Sequence, residues 1–579
     1  VGNSEGLREA VGKRRRAVER KGRGPLVVGA VAAVAVVGGT LAAYSVYGGA
    51  SGDRTAAAAE HRAVKKGPLS AAEVRTAATA FLTAWQGGKD GRAAAATDDP
   101  EAARTALTGY HKDARLTDLT LARGKRSGAT VPFTVKATVS YKGTAKPLSY
   151  SSKLTVVRRA EDGEPVVGWR PSVLHPDLED GDRLVTGPAG TPPIKAVDRA
   201  GGELTTEKYP SLGTVLDGLR EKYGKTAGGK AGVELRIVRK AAKDEKASGE
   251  SGGESGGSKT SDKTPDKTLV TLTEGTPGTV RTTLDPALQA RAEQEVLTEA
   301  KSSVVLTRAS TGEILAVANQ GHGFNVALQG SLAPGSTMKI ITSTLLFEKG
   351  LASADKPHPC PKYSSYGGWK FQNDDKFSIT GGTFKASFAR SCNTAFISQA
   401  KKLDNDDLTE VAQQVYGLGR NNWAIGVPSL DGSVPVQSGA QMAASLIGQG
   451  GVRMNPLNMA SVVATAKTGV FHQPYLVAPS VDHRTLAKAG RTMSASVQAQ
   501  LKEVLRYTAA AGTAAEAMAG LGPDDGAKTG SAEVDNQEKP NGWFTAWKGD
   551  LAGAGVVQAG GHGGDTAGPL VAALLKAGS

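Results

Sequence analysis

Ser336 and Lys339 stand three residues apart at the head of an apolar run, GSLAPGSTMKIITSTLLFEKG, which is closed by Gly350. On a helix, positions i and i+3 share a face, so a hydroxyl here lies within reach of an amine able to take its proton. The helix N-terminus adds backbone N–H groups and a positive dipole end beside a developing oxyanion. The pattern alone is weak, because Ser-x-x-Lys recurs at Ser353 to Lys356 and at Ser398 to Lys401. Order supplies the specificity. Ser391-Cys392-Asn393, the one Ser-x-Asn in the sequence, follows Ser336 by 55 residues and precedes an apolar stretch that reads as helical. Ala-Lys-Thr-Gly then occurs twice. The first copy, with Lys467, ends a stretch whose Leu457, Ala460, Ser461 and Ala464 recur at helical spacing, so Gly469 reads as its C-cap. The second, Lys528-Thr529-Gly530, lies in GAKTGSAEV and is followed by GWFTAWKG and AGAGVVQAG, three strand-like runs. That copy belongs on a sheet edge facing the serine, where an extended peptide can pair as another strand.

Ser-x-x-Lys, Ser-x-Asn and Lys-Thr-Gly, in this order, form the motif set of penicillin-binding proteins and class A β-lactamases. The chain resembles the class B penicillin-binding proteins, the serine D,D-transpeptidases of peptidoglycan synthesis. SLIGQG at Ser445 to Gly450 is similar to the Gly-Gln-Gly segment of their transpeptidase domains, and KTGSAE and DTAGPLVAALL to their closing elements. WRPSVLHPDLEDGD, with the helix and strands before it, resembles the nuclear-transport-factor-like domain of the methicillin-resistance transpeptidase branch. PPIKAVDRAGGEL matches part of the family's Arg-Gly-x-Ile-x-Asp-Arg-x-Gly box and lacks its first Arg-Gly.

The resemblance implies acyl transfer in two steps. Ser336 is the nucleophile, and Lys339 is its base, kept neutral by burial and by the charge of Lys528. Ser391 relays a proton to the leaving amine, and Asn393 orients Lys339 and the substrate amide. Thr529, Gly530 and Ser531 line the substrate site, with the backbone N–H groups of Ser336 and Ser531 as oxyanion hole. Implied partners are peptidoglycan stem peptides, β-lactams, the cytoplasmic membrane, and a separate glycosyltransferase or division or elongation proteins; no cofactor, metal or nucleic acid is expected. A class A β-lactamase calls for Glu-x-x-Leu-Asn between the second and third motifs, and that string is missing there. A D,D-carboxypeptidase differs only in its second acceptor, and a non-catalytic β-lactam-binding division scaffold or sensor is the remaining alternative.

The rest of the chain must position these residues. Length and a hydrophobic content of 39% fit about three folded domains. Residues 26–47 form an uncharged apolar run close to the ~20 residues a membrane helix needs. A basic tail, 1–25, precedes it, which under the positive-inside rule puts the tail in the cytoplasm and the catalytic part outside a single-pass anchor; the alternative is a cleaved signal peptide, whose apolar core is shorter, roughly 7–15 residues. Ser70 and Glu73 have capping-box form before a helix whose apolar face is Val74, Ala78, Phe81, Leu82 and Trp85. Alternating strands follow, with a turn at Asp162-Gly163, giving a helix-plus-antiparallel-sheet domain over 68–178; its His111 and His175 read as surface or packing residues. A pedestal and linker, 179–274, carries a polar insertion at 241–267 expected to be disordered. Asp285-Pro286 starts a helix, and Ser302 to Asn319 reads as a strand hairpin, opening a transpeptidase domain over 275–579. The expected class is thus multidomain α+β: a transmembrane anchor, the small helix-and-sheet domain, and a penicilloyl-serine-transferase domain of antiparallel sheet flanked by helices. Two cysteines are too few for a disulfide framework. Cys392 reads as a small packing residue, and whether it pairs with Cys360 stays open. The formal net charge of +14 reads as ordinary surface charge rather than as the mark of a binder of anionic wall polymers or nucleic acid.

Overall fold

The computed structural model describes residues 65–240 and 265–578. The expected membrane span, 26–47, lies outside them; among the described residues no helix is long and apolar enough to cross a membrane.

The first helix, α1 (Ala71–Gln86), begins at the capping box: the Ser70 hydroxyl accepts from Glu73 N, and the Glu73 carboxylate accepts from Ser70 N. Helices α2 (Asp90–Ala95) and α3 (Pro100–Lys112) follow, then a four-stranded antiparallel sheet of β1 (Leu116–Arg123), β2 (Thr130–Tyr141), β3 (Thr144–Arg158) and β4 (Pro165–Gly168), paired in chain order. The α1 face read from the sequence is buried throughout, with Trp85 edge-on to Tyr110 and Phe133. Strands β5 (Arg183–Pro188), β6 (Lys195–Val197), helix α4 (Gly213–Tyr223) and strands β7 (Val233–Val238), β8 (Lys267–Thr273) and β9 (Thr279–Arg281) come next. They make a β5-β7-β8 sheet and a parallel β6-β9 pair. Leu184, Leu235, Ile237 and Leu272 continue the small domain's core, whereas Leu212, Leu216 and Tyr223 join the core of the following domain. The insertion is shorter at its C-terminal end than its composition implied. Lys267 opens β8 with its ammonium 2.8 Å from Asp177, and Asp266 accepts from Arg239 N, so local charge pairs order a sequence poor in apolar residues. Residues 241–264 lie outside the described set.

The catalytic-motif half opens with α5 (Pro286–Val296), capped by Asp285, and the hairpin β10 (Ser302–Arg308) and β11 (Ile314–Asn319). Short α6 (Val326–Gln329) leads to α7 (Lys339–Glu348). Hairpin β12 (Tyr363–Tyr366) and β13 (Trp369–Gln372) precedes α8 (Phe384–Ala389), α9 (Thr394–Ile397), α10 (Asp407–Gln414), α11 (Gly439–Ser445), α12 (Pro456–Thr468) and α13 (Ala495–Ala511). Strands β14 (Gly526–Ala532), β15 (Asn541–Lys548) and β16 (Leu551–Val557) and helix α14 (Ala567–Ala577) close the chain. The sheet is antiparallel in the order β11-β10-β16-β15-β14, which leaves β14 at an edge. Helices α5 and α14 cover one face through Leu288, Ala292, Val571 and Leu574, and α12 packs on the other. Every residue of α7 from Lys339 to Phe347 is buried, so this helix is the inner post of the domain rather than an amphipathic cover.

Candidate active site

A single turn of 3-10 helix, Gly335–Met338, carries Ser336 into α7. Gly335 has φ +53°, and a Cβ there would come 2.6 Å from Ser531 O. Glycine thus lets the serine-bearing turn sit directly on the edge strand β14. Gly448, in the Gly-Gln-Gly segment, backs the same turn: its carbonyl accepts from Gly335 N at 3.0 Å, and a Cβ on it would collide with Gly335 O.

Lys339, the first residue of α7, is fully buried, and its Nζ lies 2.8 Å from Ser336 Oγ. The same nitrogen is 2.7 Å from Ser391 O, 2.7 Å from Asn393 Oδ1 and 3.2 Å from Ser391 Oγ. Two of these partners, a carbonyl and an amide oxygen, only accept. A neutral amine donates its two hydrogens to them and keeps its lone pair for the Ser336 hydroxyl. Lys528, central in β14, is also fully buried, and its Nζ donates to Thr529 O at 2.8 Å and Ser391 Oγ at 3.0 Å. Burial pushes the Lys528 ammonium down to about 7. Lys339 is held well below its usual range by burial first and by the charge of Lys528 second, against an opposing pull from Asp374.

Ser391 makes this convergence possible. It adopts φ +56°, an uncommon conformation for a non-glycine residue, and in it both its carbonyl and its hydroxyl face the amines. Asn373 holds the turn: its Oδ1 accepts from Asn393 N at 2.8 Å and from Thr394 N at 3.0 Å, while Gln372 O accepts from Asn393 Nδ2. Cys392, between the two motif residues, is joined to Cys360 in a disulfide, which decides the pairing question and corrects its reading as a plain packing residue.

All the residues singled out therefore meet: Ser336, Lys339, Ser391, Asn393 and Lys528 form one hydrogen-bonded cluster, and Thr529, Gly530 and Ser531 continue β14 past it. Thr529 Oγ1 is 2.6 Å from Thr513 Oγ1, and Ser531 Oγ is 3.3 Å from His562 Nδ1. The other copies of the motifs go elsewhere. Lys467 sits in the last turn of α12 before Gly469 at φ +77°, and Ser398 Oγ is engaged with Ala395 O. Sequence reasoning missed Asn373, Asp374, Thr513 and His562; none has a spacing signature, since each reaches the site from a turn.

Residues 302–576 match the penicillin binding protein transpeptidase domain, and residues 73–182 match the NTF2-like N-terminal transpeptidase domain. Over residues 302–576 the chain carries a penicillin binding protein transpeptidase domain. Its curated relatives include the peptidoglycan D,D-transpeptidase PbpA of Mycolicibacterium smegmatis, 29% identical over 44% of this chain and 57% of that protein. PbpA of Mycobacterium tuberculosis is 27% identical over 38% and 48%. The chain thus spans about half the length of the curated relatives it matches. Penicillin-binding folds similar to this one include Pseudomonas aeruginosa PBP2, with a TM-score of 0.53 at 18% identity over 68% of this chain and 96% of that one. Penicillin binding protein 3 of Mycobacterium tuberculosis has a TM-score of 0.51 at 19% identity over 68% and 96%.

Proposed function

We propose that this penicillin-binding protein is a peptidoglycan D,D-transpeptidase that crosslinks stem peptides through an acyl-Ser336 intermediate and is acylated there by β-lactams. The observation that carries this reading is the buried Lys339 amine, 2.8 Å from Ser336 Oγ and 2.7 Å from both Ser391 O and Asn393 Oδ1, two oxygens that only accept. Ser336 Oγ attacks the carbonyl of the donor's penultimate D-alanine while Lys339 takes its proton. The backbone N–H groups of Ser336 and Ser531 receive the oxyanion. Ser391, between the two amines, passes a proton to the departing D-alanine nitrogen. An amine of a second stem peptide then attacks the acyl-enzyme by the reverse route, forming the crosslink and freeing Ser336. Thr529, Gly530 and Ser531 hold the donor along β14, an edge strand with room for one more.

The proposed organisation is a cytoplasmic tail at 1–25, an anchor at 26–47, a nuclear-transport-factor-like domain at 68–178, a pedestal at 179–274 and the transpeptidase domain at 275–579. In this arrangement the site lies outside the cytoplasmic membrane, where a separate glycosyltransferase supplies nascent strands. Labelling with a fluorescent penicillin tests the reading: the adduct maps to Ser336 and is lost in Ser336→Ala but kept in Ser353→Ala and Ser398→Ala. An adduct on any other serine refutes it. Transfer of the acyl group to an added amine, rather than to water alone, separates transpeptidase from D,D-carboxypeptidase.

A further inference from the structure

His562 is the one residue with a side chain in the run Gly560-Gly561-His562-Gly563-Gly564, which connects β16 to α14. The neighbouring glycines fix where this loop runs. A Cβ on Gly563 would collide with Trp543 O and crowd Gly530 O, and one on Gly564 would come 2.9 Å from Thr513 O and 3.5 Å from Thr529 Cγ2. The loop backbone is therefore laid on the Lys-Thr-Gly strand itself, and larger residues on either side of His562 would lift it off.

From that position the imidazole touches both walls of the cleft. Its Nδ1 is 3.3 Å from Ser531 Oγ, one residue past the Lys528-Thr529-Gly530 motif, and 3.7 Å from Asp374 Oδ2. Asp374 belongs to the opposite wall: it follows Asn373, whose side chain holds the Ser391-Asn393 turn. A carboxylate of the protein thus lies beside an imidazole nitrogen and a serine hydroxyl at the end of the strand on which the donor peptide is placed above. The Asp374 and His562 side chains are 65% and 61% exposed, so the pair is screened by water and readily exchanged.

We propose that His562 is a substrate-binding residue for the donor's terminal carboxylate, and that Asp374 is the internal carboxylate it gives up when the donor enters. The chemistry on the two sides of the exchange is the same: a carboxylate stands beside His562 Nδ1 with the Ser531 hydroxyl alongside. What changes is the setting. A donor lying along β14 displaces water from the strand, and charge-assisted hydrogen bonds strengthen there relative to those of the open cleft. The proposal rests on the transpeptidase reading and adds to it His562 as a residue that recognises the donor's carboxylate.

The test uses the full chain in detergent and two synthetic donors with the same acyl group, a thioester whose leaving group ends in a carboxylate and its neutral amide. The readout is the ratio of their second-order constants for Ser336 acylation. His562→Phe keeps the ring and removes its N–H donors, and the ratio is expected to fall about tenfold; His562→Arg restores a donor and returns the ratio to within about twofold of wild type. An unchanged ratio in His562→Phe overturns the proposal, as does an equal fall in both variants, since the loss would then follow from loop shape. Penicillin labelling of Ser336 in the same three proteins reports on the parent reading separately. A labelled protein whose ratio stays flat refutes the carboxylate assignment alone.

Discussion

Replacing Lys528 by Ala removes a buried positive charge from beside the proposed base. Lys528 Nζ and Lys339 Nζ lie 3.0 Å and 3.2 Å from the same atom, Ser391 Oγ, so they are within about 6 Å of one another. Two unit charges ~6 Å apart at an effective dielectric constant of ~20 repel by about 3 kcal/mol. Without Lys528 the Lys339 ammonium loses that repulsion, so its pKa rises toward the usual value and the neutral amine becomes scarcer. The expected acylation rate falls by about 10², equivalent to ~2.7 kcal/mol of barrier. The sign gives a second signature: the limb of the pH–rate profile that rises as Lys339 loses its proton moves to higher pH. The assay is second-order acylation by a penicillin across that range, on proteins shown to melt cooperatively. Lys467→Ala is the control. Lys467 lies in the last turn of α12, so its loss removes a charge–dipole contribution of ~0.3–1 kcal/mol from stability and leaves acylation unchanged. Near-normal acylation by Lys528→Ala, or a severe defect in Lys467→Ala, would refute the assignment of roles to the two copies.

Gly448→Ala places a methyl group against Gly335 O at a position with φ +78°, so the serine-bearing turn must move; acylation by penicillin is expected to drop at least tenfold while the melting temperature changes little by comparison. Cys392→Ser opens a covalent loop of 32 residues and is expected to cost roughly 4 kcal/mol of unfolding free energy, read from urea midpoints with and without reductant on the wild type; equal midpoints would exclude the cross-link. Lys528 titrates near 7 in the folded chain and near its usual 10.5 when unfolded, so between those values the unfolded state carries the extra proton and stability climbs with pH. Urea midpoints that do not rise between pH 7 and 9.5 in the wild type, relative to Lys528→Met, contradict this.

Much of the site was legible because its chemistry is written in short local spacings. Ser336 and Lys339 needed only a helical turn, and the apolar run behind them named the helix. Glycine and strand alternation separated Lys528 from Lys467, since a Gly in left-handed conformation ends α12 while the second copy runs on into β15 and β16. The same local signals gave α1, with its capping box, and the Asp285 cap. What escaped is set by tertiary contacts that leave no periodicity. Asn373 lies in a polar turn whose sequence, Gln-Asn-Asp-Asp-Lys, reads as solvent-facing, yet its side chain is fully buried beneath Ser391. Cys360 and Cys392 are 32 residues apart in segments of different secondary structure, so spacing carries no register for their pairing. His562 looked like an isolated histidine among glycines, and only the glycine contacts with Gly530 and Trp543 reveal why the loop brings it to Ser531.

The two amines explain why the turn at Ser391 is built as it is. Packing alone would favour apolar side chains at both positions, because each lysine is fully buried and lacks a carboxylate within ion-pair distance among the described residues. The penalty is contained by hydrogen bonds rather than by counter-charge: Ser391 O and Asn393 Oδ1 satisfy one amine, Thr529 O the other, and Ser391 Oγ lies between them. A carboxylate in that place would have stabilised both ammonium groups and abolished the base. Asp374 bears on Lys339 in that direction, and the structure answers by turning its carboxylate toward His562 at the cleft mouth. The positive φ at Ser391, the buried Asn373 and the disulfide through Cys392 then have a common purpose. They hold one carbonyl and one hydroxyl at the point where the two buried amines meet, the arrangement that the proposed proton path from Ser336 through Lys339 and Ser391 to the leaving amine requires.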